Sequence, residues 1–324
     1  MRSRARFKPP AVEWAIVLLL IAIVAVVTVS VFVVSFDQLS ANLRKLDGVT
    51  VAACFLGMAW QSGGRCLRWL VYVRNLGLKL PLREAALYYA AAFSMTLTPA
   101  RLGETLRLWF LEKRFGVYYR RIVGLYIADR LSDAIAYLIL LVVGSIAYAQ
   151  SSPAAWGIRL AIMACIAALM YPKPIFAVLR VAYAVTRRGR KAVVWLRRAV
   201  RNTSTLFQPK VFIPGVAIGT VGWLATPAVL TLILAQMGIT IDPLQVAAIY
   251  ATAALAGGSS MVPGGVGVTE AVLVVLLTAS DVPLDIAVAA MMVTRLTFLW
   301  LPAGLGLLLL PVAIRTAGVK AKAV

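Results

Sequence analysis

Long runs of apolar residues constrain the fold of this chain more than any other feature. A membrane core about 30 Å thick needs roughly 20 apolar residues per helix. Six runs are long enough: Val12–Phe36, Val49–Val73, Arg121–Ala149, Ile158–Val185, Val211–Met237 and Leu284–Val312. Hydrophobic residues make up 62% of the chain and charged residues only 14%, so no long polar segment remains for a soluble catalytic domain. We predict an all-α polytopic membrane protein with a single transmembrane domain over residues 1–324.

Two further apolar regions are interrupted by turn-forming residues. The first runs from Arg83 to Phe115 and breaks at "TPARLGE", residues 98–104, and the second runs from Pro243 to Ala279 and breaks at "VPGGVGVTE", residues 262–270. The limb before the first break covers roughly 22 Å at about 1.5 Å per residue, which is less than a full span. We therefore predict two re-entrant helical hairpins, although pairs of short complete spans also fit. The predicted break residues are Pro99, Gly103, Pro263, Gly264, Gly265 and Gly267.

The two breaks align as an internal duplication. In each, a glycine follows the proline by four residues, and an arginine follows the glutamate after 26 residues in the first copy and 25 in the second. The period of 164 to 165 residues places repeat 1 at about 49–149 and repeat 2 at about 211–312. Because three predicted spans separate the hairpins, the second copy is inverted relative to the first. Inverted repeats around broken helices are typical of secondary transporters, whose sites lie near the membrane midplane.

Charged residues accompany both breaks. Broken backbone at membrane depth is tolerated where it is buried in protein or lines a wet cavity, and free helix N-termini favour anions. Intramembrane charges are costly unless paired or hydrated, so we treat these as candidate substrate-binding residues: Arg101, Glu104, Arg107, Asp129, Arg130, Asp133, Glu270 and Arg295.

Some of these charges have a structural alternative. Under a purely structural interpretation, each repeat contains one buried ion pair that only connects its hairpin to the following helix. These pairs are Glu104 with Arg130 and Glu270 with Arg295. We favour Arg101 and Arg107 as phosphate contacts, because guanidinium groups match phosphate oxygens. Asp129 precedes Arg130 directly, but adjacent helical side chains point in different directions, so their pairing does not follow from the sequence.

The distribution of basic residues predicts the orientation. The net charge is +21, from 33 Lys plus Arg against 12 Asp plus Glu, and the basic clusters fall on one side of the predicted topology. By the positive-inside rule, both termini and the basic linker 186–210 are cytoplasmic. Within that linker, residues 186–202 fit either an interfacial amphipathic helix or a solvated basic loop. No motif that reads DNA or RNA is present, so the charge indicates membrane lipids and not nucleic acid as the partner.

The residue types argue against several activities. Histidine is absent, which removes the commonest general base and metal ligand. Cys54, Cys66 and Cys165 lie singly without a CxxC pair, so we interpret them as small core residues. We predict no metal, no cofactor and no enzymatic activity. The sequence has no GxxxxGK[ST] loop, which excludes a P-loop ATPase as the direct energy source and leaves downhill movement or ion coupling.

Four segments carry a resemblance to a known family. They are "TPARLGETLR" at 98–107, "ADRLSDAIAYLIL" at 128–140, "GGSSMVPGGVGVTEAVLVVLL" at 257–277 and "VTRLTFLWLPAGLGLLL" at 293–309. The chain resembles the flippase-like membrane family named for the lysylphosphatidylglycerol synthase transmembrane region. This resemblance implies a bacterial inner-membrane protein that moves or handles a lipid. Bifunctional members add a soluble aminoacyl-transfer domain, which this sequence does not contain, so a stand-alone member without lysyl-lipid synthesis is expected.

The leading functional hypothesis is a lipid translocase that moves a phospholipid, or another polar-headed lipid, across the cytoplasmic membrane. Anionic headgroups are the expected ligands. Three alternatives remain open: a small-solute secondary transporter, a membrane enzyme that modifies a headgroup, and a non-transporting subunit of a lipid or glycolipid assembly pathway. The sequence does not determine the oligomeric state, the lipid or the coupling ion.

Overall fold

The computed structural model describes residues 12–98, 104–148, 153–170 and 203–318. Within these ranges the chain is helical and contains no β-strand. The helices are α1 Val12–Val33, α2 Phe36–Leu43, α3 Gly48–Asn75, α4 Leu82–Ala92, α5 Leu106–Phe115, α6 Tyr119–Tyr148, α7 Pro153–Met170, α8 Pro209–Trp223, α9 Ala225–Gln236, α10 Pro243–Ser259, α11 Val268–Thr278, α12 Leu284–Arg295 and α13 Leu301–Gly318. The predicted interfacial segment 186–202 lies outside the described residues, as do Pro99, Arg101 and Gly103.

Long helices occupy the apolar runs, and prolines account for two irregularities within them. The stretches Pro209–Gln236 and Leu284–Gly318, both in the described ranges, have the length and hydropathy of a membrane span. The first divides into α8 and α9 just before Pro227, which has no amide hydrogen for the carbonyl one turn earlier. The second passes through a π-helical segment, Leu296–Trp300, which ends two residues before Pro302.

Both interrupted regions contain a break in the helix. In the first, α4 continues into a 3₁₀ turn, Phe93–Met95, and the next described α-helix begins at Leu106. In the second, α10 ends at Ser259 and a 3₁₀ turn, Pro263–Gly265, precedes α11. Three glycines of this second break have positive φ, namely 63° at Gly264, 66° at Gly265 and 86° at Gly267. Glycine adopts this conformation without the steric cost that other residues incur.

The residues between the first two predicted spans include a helix that the sequence did not predict. Phe36–Leu43 form the short helix α2, whose N-cap is Ser35. The Ser35 hydroxyl accepts a hydrogen bond from the Gln38 amide at 3.4 Å, which compensates one of the unpaired donors at the helix start. The α2 helix is also attached to α12, because the Asn42 amide donates to the Asp285 carboxylate at 2.8 Å.

Large apolar side chains cover the outside of the long helices. Leu56 on α3 is 71% exposed and Leu308 on α13 is 76% exposed, as expected for helices that face hydrocarbon tails. Cys54 and Cys66 are buried, but Cys165 is exposed on α7, so its assignment to the core was wrong. An outward-facing thiol costs little when the surrounding solvent is apolar lipid.

The helices pack closely where small residues meet. The α3 helix packs along α8 and α9, α6 packs along α10, and α4 packs along α13. At the first of these contacts, a Cβ atom built on Gly64 would lie 3.1 Å from the Cα atom of Gly222. Small residues at this crossing therefore allow the two backbones to approach closely, as in other membrane helix pairs.

Candidate functional site

A cluster of buried charges lies between α3, α6 and the segment that leads into α5. We call it the arginine cluster. Its members are Arg65, Arg68, Glu104, Arg107, Asp129, Arg130 and Asp133. Five of these residues were predicted as site candidates, and the structure brings those five together with two arginines that were not predicted.

The two unpredicted arginines lie on α3. Their spacing of three residues places both on one face of the helix, opposite Asp129 and Asp133, which are four residues apart on α6. Arg68 is fully buried, and its Nη2 atom donates to Asp129 Oδ1 at 2.6 Å and to Asp133 Oδ1 at 2.7 Å. Arg65 Nη2 donates to Asp133 Oδ2 at 3.3 Å, and its guanidinium carbon lies 4.6 Å from the centre of the Trp223 ring.

Arginine side chains of the first repeat surround Glu104. Its Oε2 atom lies 2.9 Å from Nη2 of Arg107 and 3.0 Å from Nη2 of Arg130. Arg130 Nη2 is also 3.0 Å from Asp129 Oδ2 and 3.1 Å from Asp133 Oδ2. The sequence-adjacent pair of Asp129 and Arg130 is therefore formed, because the long arginine side chain reaches the carboxylate although the two Cα–Cβ bonds diverge.

Arg107 does not contact the main cavity described below. It is 3% exposed, its Nη2 atom donates to Glu104 Oε2 and Asp129 Oδ2, and its guanidinium carbon lies 4.5 Å from the centre of the Tyr89 ring. In this conformation Arg107 forms ion pairs with two carboxylates of the arginine cluster, those of Glu104 and Asp129. Its predicted role as a phosphate contact stays a prediction, as does that of Arg101, which lies outside the described residues.

The arginine cluster carries an excess of positive charge. Four guanidinium groups face three carboxylates, which leaves one positive charge uncompensated among the described members. Each arginine also keeps a buried nitrogen without a described hydrogen-bond partner: Nε of Arg65, Nη1 of Arg68, Nη1 of Arg107 and Nε of Arg130. Uncompensated buried charge and unused donors both lower stability, so the cluster favours a ligand that is anionic and accepts hydrogen bonds.

The second repeat contains a simpler pair. Arg295 Nε donates to Glu270 Oε1 at 2.7 Å, and both residues are buried. The other oxygen, Glu270 Oε2, accepts from the Gly267 amide at 2.8 Å, so the glutamate also caps the start of α11. Arg295 Nη2 lies 3.5 Å from the carbonyl oxygen of Gly264, which links it to the second break. The two Glu–Arg pairs that the predicted duplication aligns are therefore both formed, Glu104 with Arg130 and Glu270 with Arg295.

A cavity of about 410 Å³ lies between residues of the two predicted repeats. We call it the main cavity. Its charged lining residues are Arg130 and Asp133 from the first repeat and Arg295 from the second. The remaining wall is mostly aromatic, apolar or glycine: Tyr126, Ala134, Tyr137, Tyr250, Ala254, Leu255, Gly257, Gly258, Ser259, Val262, Gly264, Gly265 and Thr269. A few charged groups in a largely apolar wall are typical of a site for a small molecule or headgroup.

Arg130 is the most accessible member of the arginine cluster. Its side chain is 23% exposed, whereas the side chains of the other six members are 7% exposed or less. A ligand in the main cavity can therefore reach the cluster through Arg130 while Arg65, Arg68 and Arg107 stay buried behind it. Glu104 and Asp129 do not line the cavity, but both form ion pairs with Arg130, which does.

Comparison with known proteins identifies the family. The family model of the lysylphosphatidylglycerol synthase transmembrane region matches residues 14–306. The chain belongs to this family. It is also similar to a UPF0104 membrane protein of Methanothermobacter thermautotrophicus, with 23% identity over 91% of this chain and 94% of the relative. The chain is therefore a helical membrane protein of the lysylphosphatidylglycerol synthase-like family.

Proposed function

We propose that this protein is a lipid translocase that moves a phosphate-bearing lipid across the cytoplasmic membrane. One observation carries the proposal. An arginine from each repeat, Arg130 and Arg295, lines the same 410 Å³ cavity, whose remaining wall is largely aromatic and apolar. The arginines suit a phosphate headgroup, and the apolar wall suits the glycerol and the first methylene groups of the tails.

The packing of α3 against α8 and α9 supports an inverted repeat. The glycines along this contact show which residues face each other. The Cβ atom built on Gly57 lies nearest to Val229, that on Gly64 nearest to Gly222, and that on Gly219 nearest to Arg68. The residue number falls on one helix as it rises on the other, so the helices are antiparallel.

Near the middle of this contact, Gln61 Nε2 donates to Thr226 Oγ1 at 2.6 Å. These residues are 165 positions apart, which equals the period of the duplication. When a two-fold axis relates two repeats, equivalent residues of the repeats contact each other where the axis passes between the two antiparallel helices. For helices that cross a membrane, such an axis lies in the membrane plane. This arrangement supports exchange between inward-facing and outward-facing forms of the main cavity.

The charge of the site favours an anionic headgroup. The excess positive charge of the arginine cluster is one, which a single phosphodiester neutralises. A phosphate at Arg130 and Arg295 competes with Glu104 and Glu270 for the same guanidinium groups. We infer that binding loosens the two Glu–Arg pairs and thereby lowers the energy of the exchange between forms. The basic loops support a location in the cytoplasmic membrane with both termini in the cytoplasm.

Lipid movement in reconstituted vesicles tests the proposal. Labelled anionic, zwitterionic and neutral lipids are followed by their protection from an external quencher. We expect the anionic class to move, and Arg130→Gln and Arg295→Gln each to slow it at least tenfold. Arg159→Gln is the matched control, because Arg159 is a buried arginine on α7 that donates hydrogen bonds to Ser145 and does not line the cavity.

Two other outcomes would replace the translocase. Entry of a soluble organic anion without movement of any lipid would establish a small-solute transporter. No movement of any lipid class, in native lipid extract and with an imposed proton gradient, would leave the non-transporting subunit as the better explanation.

A further inference from the structure

A second, smaller chamber lies beside the main cavity. It has a volume of about 30 Å³ and shares Tyr250 and Arg295 with the main cavity. Its other lining residues are Arg65, Phe93, Thr96, Trp223, Thr294, Phe298 and Leu299. This space accommodates one or two water molecules or one ion of similar size. It is too small for a lipid headgroup.

Two polar groups of the chamber are donors that lack acceptors. Arg65 Nε and Thr96 Oγ1 are buried and have no hydrogen-bond partner among the described residues. Thr294 already donates its hydroxyl hydrogen to the Ala290 carbonyl at 2.7 Å. Its described lining contains two arginines and no carboxylate. A ligand here therefore has to accept hydrogen bonds from a guanidinium N–H and from a hydroxyl group.

The charge of the surroundings distinguishes an anion from water. Arg65 belongs to the arginine cluster, which carries one uncompensated positive charge among its described members. Water accepts hydrogen bonds from the two free donors but leaves that charge uncompensated. A monovalent anion accepts the same hydrogen bonds and also neutralises the charge. The rings of Phe93 and Trp223, which flank the Arg65 guanidinium at 5.7 and 4.6 Å, limit the access of further water. A halide fits because it is small and imposes no fixed hydrogen-bond geometry.

We propose that this chamber binds a single halide ion, with Arg65 and Thr96 as its donors and Arg295 as a second nearby cation. The ion neutralises the arginine cluster while no lipid phosphate occupies the main cavity. The binding site itself does not depend on the proposed lipid transport.

Thermal unfolding of the purified protein in detergent tests this site. Chloride or bromide is titrated against gluconate at constant ionic strength, so that general screening stays fixed. We expect a saturable rise in Tm for the wild type, because a ligand that binds the native state stabilises it. Thr96→Val removes one donor and keeps every charge. We expect it to raise the half-saturating halide concentration about tenfold, since hydrogen bonds to charged groups are among the stronger ones.

Two further variants sharpen the result. Thr231→Val is the matched control, because Thr231 on α9 is partly buried and its described hydrogen bond is local, to the Pro227 carbonyl. It should titrate like the wild type. Arg65→Lys keeps the charge but removes the guanidinium group, and it should also weaken the halide effect. An equal Tm in chloride and gluconate for the wild type would overturn the proposal, and so would an unchanged half-saturation in Thr96→Val.

Discussion

Replacing Arg68 with methionine tests whether the arginine cluster is a single electrostatic unit. Arg68 is fully buried, and its Nη2 atom lies 2.6 Å from Asp129 Oδ1 and 2.7 Å from Asp133 Oδ1. The substitution keeps an unbranched side chain of similar length and removes the charge. Each carboxylate then keeps another arginine, since Arg130 lies 3.0 Å from Asp129 and 3.1 Å from Asp133.

The magnitude follows from these remaining partners. Removing one partner of a buried ion pair costs about 3–5 kcal/mol, because the other charge stays buried without compensation. Here both carboxylates remain partly compensated, and the cluster changes from one excess positive charge to neutral. We therefore expect Arg68→Met to reduce the free energy of unfolding by about 3 kcal/mol, at the lower end of that range.

A double-mutant cycle makes the test specific. Asp129→Asn alone raises the excess charge from one to two, whereas Arg68→Met with Asp129→Asn restores it to one. The double variant should therefore be less destabilised than the sum of the singles, by about 1–3 kcal/mol. Unfolding is measured by titration with SDS in mixed micelles. Arg159→Met is the control for loss of a buried arginine elsewhere.

Two results would refute this reasoning. A change smaller than about 0.5 kcal/mol for Arg68→Met would mean that the buried contacts contribute no net stability. Strict additivity of the two single variants would mean that Arg68 and Asp129 are not energetically coupled, contrary to their 2.6 Å contact.

Two other substitutions test local features of the site. Gly265 has a φ of 66°, and a Cβ atom there would lie 2.9 Å from a threonine hydroxyl. Gly265→Ala should therefore lower the free energy of unfolding by about 1–3 kcal/mol. The control, Gly258→Ala, has open space around its Cβ position and should lower it much less. Trp223 Nε1 donates to Asp133 Oδ1 at 2.8 Å inside the protein, so Trp223→Phe should cost about 1.5–3 kcal/mol. Trp60→Phe is its control, because the hydrogen bond of the Trp60 indole lies at an exposed position. Each variant and its control are compared by unfolding in SDS. Equal losses of unfolding free energy in a variant and its control would contradict the prediction.

The apolar pattern predicted much of the fold because its cause is local. A run of about 20 apolar residues forms a helix in lipid whatever its neighbours are, since the backbone has no other hydrogen-bond partners. Proline and glycine at the second break likewise determine its geometry locally, through the positive φ values at Gly264, Gly265 and Gly267. The helix over Phe36–Leu43 was missed because a short capped helix carries little periodic signal.

The arginine cluster was only partly predictable because its contacts join residues that are distant in the sequence. Arg65 and Arg68 were not predicted, because they lie inside the apolar run Val49–Val73 and away from both breaks. Two arginines one turn apart within a span were the available signal, since intramembrane charges are functional candidates by default. Which carboxylates they meet depends on how α3 packs against α6, a contact that no spacing in either helix determines.

The most direct test of the central claim is the accessibility of the main cavity from each side of the membrane. Ser259 lines this cavity, so Ser259→Cys in a background without Cys54, Cys66 and Cys165 reports on its opening. Oriented vesicles are treated with a membrane-impermeant thiol reagent from one side and then, in a separate sample, from the other. A translocase that alternates between two forms predicts labelling from both sides, with anionic lipid changing the ratio of the two rates. Labelling from one side only, at every lipid composition, would contradict alternating access and with it the proposed translocation.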